Sequence, residues 1–179
     1  MSETLKSQIR LRGSRKCDVG VITDIIARDG VVHGLSVMPF TSEFDVERML
    51  QLTESRHWIV AELEDSVAGF VYLDWGKGRW RQIGLLGMGV DDRHVGRGVG
   101  TALIGAVLRV GFDFLDLEKI ELVVYVDNVA AIRLYEKAGF IHEGTKRGNA
   151  IRDGQYIDAH VMSLLKQDWL RVGEARACG

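Results

Sequence analysis

Val90-Asp91-Asp92-Arg93-His94-Val95-Gly96-Arg97-Gly98-Val99-Gly100-Thr101 lies between the apolar run Ile83 to Val90 and the segment Ala102 to Leu108. The run reads as a strand and the segment as a helix. The stretch is therefore a glycine-rich turn leading into a helix N-terminus. First-turn amides have no partner within a helix, the dipole is positive there, and glycines let an anion reach the backbone. A phosphate site is the expectation. Two familiar phosphate loops fit poorly. A Walker A loop ends in Gly-Lys-Ser/Thr, whereas Thr101 follows Gly100 directly. The dinucleotide fingerprint is G-x-G-x-x-G. Gly96-Arg97-Gly98-Val99-Gly100 brings its last glycine one position early, and Gly87-Met88-Gly89-Val90-Asp91-Asp92 ends in aspartate. What remains is a basic residue, Arg93, followed by two spaced glycines, Gly96 and Gly98.

Working upstream, Gln8 to Arg12 alternates and reads as a first strand. Asp18 is placed to cap a helix through about Arg28, and Gly30 ends it. Val31 to Phe40 is irregular, apolar and holds the only proline, Pro39. Ser42 and Asp45 have capping-box spacing for a short helix to about Leu52. His57 to Leu63 and Val67 to Trp75 flank Glu64-Asp65-Ser66, a hairpin signal. Gly76 to Gly78 is a loop, and Arg81 to Val90 is the next strand, carrying Gly84, Gly87 and Gly89. Such glycines mark a bulge or a close backbone contact, here read as the approach of a ligand.

Downstream, the loop's helix runs to about Leu115. Lys119 to Val126 is a strong strand. Asn128 opens a helix through about Ala138, with Gly139 as its C-cap. Phe140 to Glu143 starts a strand, Arg152-Asp153-Gly154 is a turn, and Tyr156 to Leu165 is a last strand. Asp168 onward is a short helix or tail, with Gly173 to Gly179 expected to be disordered. The order is that of an α/β protein with a mixed sheet flanked by helices. A single domain spans residues 1–168, with 169–179 as a C-terminal tail.

The 179 residues suffice for one substantial core. A net charge of −2 argues against a broad nucleic-acid surface. With no apolar run of about 18 residues, no membrane span is expected. Met1 to Lys6 lacks the apolar core of a signal peptide. Cys17 and Cys178 lie at opposite ends, which suits a reduced, cytoplasmic protein. His57, His94, His142 and His160 lack metal-ligand spacing, so no metal is expected.

Asn128 and Tyr135 are seven residues apart, about two helical turns, and share a helix face. Together they can present an amide and a phenol along one extended ligand. R-x-x-G-x-G after a strand, then N-x-x-A-x-x-L-Y-x-K-x-G-F about 30 residues later, resembles the GNAT superfamily of acyl-CoA-dependent N-acyltransferases. Glu121 to Asn128 and Asn149 to Ala159 further resemble bacterial enzymes that acetylate the α-amine of free amino acids.

The resemblance implies the GNAT fold, a mixed, mostly antiparallel sheet whose central strands splay apart. It implies acetyl-CoA as co-substrate and no metal. It places pyrophosphate on the loop, here Arg93, Val95, Gly96, Arg97, Gly98, Val99 and Gly100, and pantetheine along Met88 and Val90. Asn128 would bond the pantetheine and Tyr135 would protonate the departing thiolate. It also implies a homodimer through the sheet edge or last strands. A phenol suits its role: its unperturbed pKa is about 10 and a thiol's about 8.5, so it stays protonated yet can share a proton with sulfur. The amine attacks the thioester directly, with no covalent enzyme intermediate.

Many relatives carry a carboxylate on the strand before the loop, but Gln82 to Val90 contains none. A free α-amine with pKa near 8 is roughly a quarter neutral at pH 7.5, against about 0.1% for lysine. The departure therefore favours an α-amine acceptor and leaves the base open among Glu43, Asp74 and Asp158. His33, Met38, Phe40 and Asp158 are candidates for the acceptor site, with core packing the competing reading for the first three. The expected reaction is acetyl transfer to a primary amine, foremost a free amino acid. The alternatives are a protein or peptide N-acetyltransferase and a non-catalytic acyl-CoA-binding module.

Overall fold

Alternating and helical hydrophobic patterns resolve into strands β1 (Arg10–Gly13), β2 (Arg56–Leu63), β3 (Ser66–Trp75), β4 (Ile83–Val90), β5 (Lys119–Tyr125), β6 (Ile141–Arg152) and β7 (Gln155–Leu165). The helices are α1 (Val19–Ile26), α2 (Asp29–Val32), α3 (Glu43–Leu50), α4 (Val99–Arg109), α5 (Val129–Ala138) and α6 (Lys166–Ala177). This computed structural model describes residues 8–32, 34, 35, 37–51 and 55–177, with side chains as far as Arg171. His33, Cys178 and residues 1–7 fall outside that range.

Local chemistry explains most boundaries. Ser42 Oγ accepts from the Asp45 amide at 3.2 Å and Asp45 accepts from the Ser42 amide at 3.2 Å, so the capping box starts α3. Glu64 and Asp65 both take positive φ, 53° and 60°, the two-residue turn that matches strand twist. Gly139, at φ 104°, ends α5.

Four expectations are corrected. Asp18 does not cap α1: its carboxylate accepts from the Arg15 amide at 2.6 Å and from Arg12 at 2.7 and 2.8 Å. Gly30 does not end a helix but lies inside α2. The helix expected to reach Leu115 is α-helical only to Arg109; a wider π turn follows over Val110–Phe114. The C-terminal segment continues directly from β7 as α6 through Ala177, so Gly173 to Ala177, expected to be disordered, belong to a helix.

The seven strands form one sheet in the order β1-β2-β3-β4-β5-β7-β6. Neighbours are antiparallel except β4 and β5, which run parallel and pair only at Ile83↔Lys119, Gly84↔Ile120 and Leu85↔Glu121. Beyond these three rungs they part, while β4 stays paired with β3 as far as Val90 and β5 with β7 as far as Tyr125. Residues 86–90 and 122–125 thus face each other across a fork, as the splayed-strand expectation required.

Two cores lie on opposite faces. Ile22, Ile25 and Val46 of α1 and α3 pack with Val31, Trp58 and Phe70. Leu103 and Val107 of α4 and Tyr135 of α5 pack with Leu73, Leu86 and Leu122. Each fully buried aliphatic contributes about 1.5–3 kcal/mol. The second core runs beneath the fork and ties its two arms together, whereas the first has no member in β5, β6 or β7.

Candidate active site

The glycine loop is braced by a carboxylate. Asp91 is fully buried. Its amide donates to Ala68 O at 2.9 Å, and its side chain accepts from the Arg93 amide at 3.0 Å and the Arg93 guanidinium at 2.6 Å. These Arg93 bonds hold the Asp91 carboxyl below the usual carboxylate range, against the opposing effect of burial. Arg93, expected at the ligand, thus braces its own loop while its side chain stays 61% exposed. Arg97 turns away, pairing with Glu64. Neighbouring Asp92 accepts from the Gly30 amide at 3.1 Å, and a Cβ on Gly30 would sit 3.0 Å from Asp92 Cγ. Gly30 is there to let α2 meet the loop.

Gly96 and Gly98 take φ of 78° and 86°, which other residues adopt at a cost. Gly98 is the N-cap of α4 and supplies no side-chain cap. The amide of Ala102 bonds Gly98 O at 3.0 Å, so the amides of Val99, Gly100 and Thr101 precede the first such bond. The dipole of an eleven-residue helix adds to them. Gly100 serves packing instead: a Cβ there would lie 2.8 Å from Leu134 of α5.

The strand glycines are corrected in role. Gly84 admits Leu73 and Leu117, Gly87 admits the Tyr72 ring, and Gly89 admits Phe70 and Val31. Their missing Cβ atoms make room for the protein's own side chains rather than for a ligand. Met88 and Val90 lie in the unpaired half of β4, with Met88 Cε and Val90 Cγ2 3.5 and 3.8 Å from a Cβ placed on Gly100.

On the other arm, Asn128 Oδ1 accepts from the Ala131 amide at 3.2 Å and caps α5. Its Nδ2 lies 3.1 Å from where a Cβ on Gly34 would stand, so the segment after α2 reaches over it. Tyr135 is buried, edge-on to Phe140 with centroids 5.8 Å apart. Burial, and secondarily Tyr72, pushes its phenol well above the usual range. Its hydroxyl makes no hydrogen bond among the described residues.

The acceptor candidates fare differently. Met38 is 78% exposed and Phe40 102% exposed, so neither packs into a closed pocket or the core. Val31, not singled out as a site residue from sequence, covers Gly89 instead. Asp158 accepts from the Gly148 amide at 2.7 Å, and its carbonyl accepts from the Val126 amide at 3.1 Å. It therefore ties β6 to the end of β5. Asp74 is held by a two-pronged bond to Arg56. Glu43 is exposed at the start of α3. A cavity of about 680 Å³ lies outside the fork along β1 and the β2–β3 turn. Arg10, Glu62, Glu64 and Asp65 line it. Among the described residues, no cluster of three or more His, Cys, Asp or Glu is placed to hold a metal ion, and no helix is long and apolar enough to cross a membrane.

The site thus joins a fork between parallel strands, a helix N-terminus without a side-chain cap at one arm and a buried phenol at the other. The family model described as acetyltransferase (GNAT) family matches residues 30–140, and the chain belongs to that family: it is an N-acetyltransferase. It is 32% identical over 161 residues to the L-amino acid N-acetyltransferase AaaT of Escherichia coli, covering 89% of this chain and 99% of the relative. It is 25% identical to a spermidine N(1)-acetyltransferase of Vibrio cholerae over 95% of this chain and all of that one. The crystal structure of spermidine N-acetyltransferase from Vibrio cholerae in complex with CoA and spermine superposes with a TM-score of 0.82 at 25% identity, covering 91% of this chain and 98% of the other.

Proposed function

We propose that this enzyme transfers acetyl from acetyl-CoA to the α-amine of a free amino acid or a similar small amine. The observation that carries this is the fork, flanked by the α4 amides and by Tyr135. Acetyl-CoA supplies an acyl thioester activated toward amines. The amides of residues 95–100 would hold its pyrophosphate, the unpaired edge of β4 at Met88 and Val90 its pantetheine, and Asn128 Nδ2 a pantetheine carbonyl. The fit is good: Oδ1 of Asn128 is engaged in capping, but its amide nitrogen is not given a role by the cap. Tyr135, kept protonated by burial, donates to the departing sulfur.

The likeness to the E. coli amino acid enzyme supports an amino acid acceptor. The likeness to the Vibrio enzyme supports a polyamine as the second reading. The exposed Val123 and Ile141, on the same face of β5 and β6, support a homodimer through the last strands. The free, exposed Cys17 fits a reducing cytoplasm. A thiol-release assay with acetyl-CoA over amino acids, polyamines, aminoglycosides and peptides tests the reading. Free amino acids are expected to react fastest. Faster turnover of polyamines or peptides would overturn the amino acid assignment, and silence on all four would favour a non-catalytic binding module.

A further inference from the structure

Tyr72 of β3 lies directly opposite Gly87 of β4 in the antiparallel ladder. A Cβ on Gly87 would fall 2.6 Å from Tyr72 Cε1 and would overlap Cζ and the hydroxyl oxygen still more. The phenol therefore lies across the bare backbone of β4, hydroxyl end outermost. Gly87 belongs to the part of β4 that β5 does not pair. The hydroxyl thus stands at the rim of the fork, on the α1–α3 face, opposite to the α4–α5 face that carries Tyr135.

The ring is held firmly from behind. Trp58 packs on it with centroids 4.9 Å apart, and the Arg56 guanidinium sits 5.5 Å from its centroid while bonding Asp74. The hydroxyl itself makes no hydrogen bond among the described residues. Burial first, and Asp74 second, raise its pKa, so it is neutral at physiological pH. Tyr135 is close enough for Tyr72 to act on it electrostatically.

We propose that the Tyr72 hydroxyl is the amine-side contact of the acyl-transfer point, its oxygen accepting the N–H of the incoming amine. This rests on the acetyl-transfer reading of the fork. It answers the lack of any acid on β4: a neutral acceptor atom orients the neutral, attacking form of the amine without demanding a carboxylate. The nitrogen–carbon bond forms and the carbon–sulfur bond breaks. Sulfur takes the Tyr135 proton, Tyr135 regains one from water, and the nitrogen's surplus proton passes to water. Tyr72 is neutral before and after.

Tyr72→Phe keeps the ring and removes only the oxygen. The expected result is at least a tenfold fall in kcat/KM for the amine, with the KM for acetyl-CoA and the melting temperature unchanged. Gly87→Ala, which displaces the phenol, is expected to reproduce the amine defect. An active wild type matched by Tyr72→Phe in kcat/KM for the amine would overturn the Tyr72 contact and leave the acetyl-transfer reading standing. A wild type that transfers acetyl to no amine would overturn both.

Discussion

Tyr135 carries its proton further up the pH scale than a free phenol because burial disfavours the phenolate. Activity should therefore show no alkaline loss near pH 10 from this group. Tyr135→Phe should lower kcat by about 10²–10⁴-fold, the usual range for a positioned acid, with acetyl-CoA affinity within about twofold of the wild type. Steady-state kinetics beside calorimetry would check this, and an unchanged kcat would remove Tyr135 as the acid. Tyr135 stood out in the sequence because a tyrosine seven positions after a helix-opening asparagine shares its face. Asp91 did not. Its importance comes from being fully buried beneath Arg93, and nothing in the order Asp91-Asp92-Arg93 says which carboxylate turns inward. The pairing of Arg93 with Asp91 was equally hidden: a sequence shows a charge but not its nearest partner.

At the scale of elements, the loop and α4 stand or fall on backbone conformation. Gly98 has open space around it, with Ile9 Cδ1 the nearest atom to a Cβ at 3.7 Å. The obstacle to substitution is its φ of 86°. Gly98→Ala should thus cost about 1–2 kcal/mol, the strain of a left-handed non-glycine residue, measurable by denaturant unfolding. Gly98→Glu should in addition abolish CoA binding by setting negative charge at the α4 N-terminus, and normal affinity by calorimetry would refute the anion site. The capping box at Ser42, the Glu64-Asp65 hairpin and the α5 caps were readable because each depends on neighbours within a few residues. The role of the β4 glycines was not, because it depends on Phe70, Tyr72 and Leu73 of another strand. The short α2 was hidden by Gly30, a residue placed for Asp92, which is 62 positions away.

For the molecule as a whole, the N-terminal edge is secured by charge. Arg12 bridges Asp18 and Glu62, joining β1 to β2 and to the start of α1. Burial alone would raise the Asp18 carboxyl, but the Arg12 and Arg15 bonds bring it below its ordinary value. A depressed folded-state pKa contributes stability above the unfolded value, about 3.9, and loses it as pH falls through the folded one. Asp18→Asn should therefore lower stability at pH 7 by about 1.5–3 kcal/mol, the worth of hydrogen bonds to a charged partner, since Arg12 keeps Glu62. The gap should narrow below about pH 4. Thermal melts at pH 7 and pH 3 would show it, and a gap that stays constant would refute the linkage. The overall architecture was legible from the order of elements, but the length of the β4–β5 pairing was not, since register between distant strands leaves no local mark.

That short pairing has a mechanical consequence. Three rungs make a narrow hinge, so the sheet is closer to two leaves than to one slab: β1–β4 beneath α1–α3, and β5–β7–β6 ending in α6. Each leaf has its own continuous hydrogen-bonded ladder, and the core under the fork is their common spine. Separation of the leaves is then opposed chiefly by that shared core. A molecule lodged between the leaves fastens them to each other, so the donor that the enzyme consumes would also set how cooperatively it unfolds.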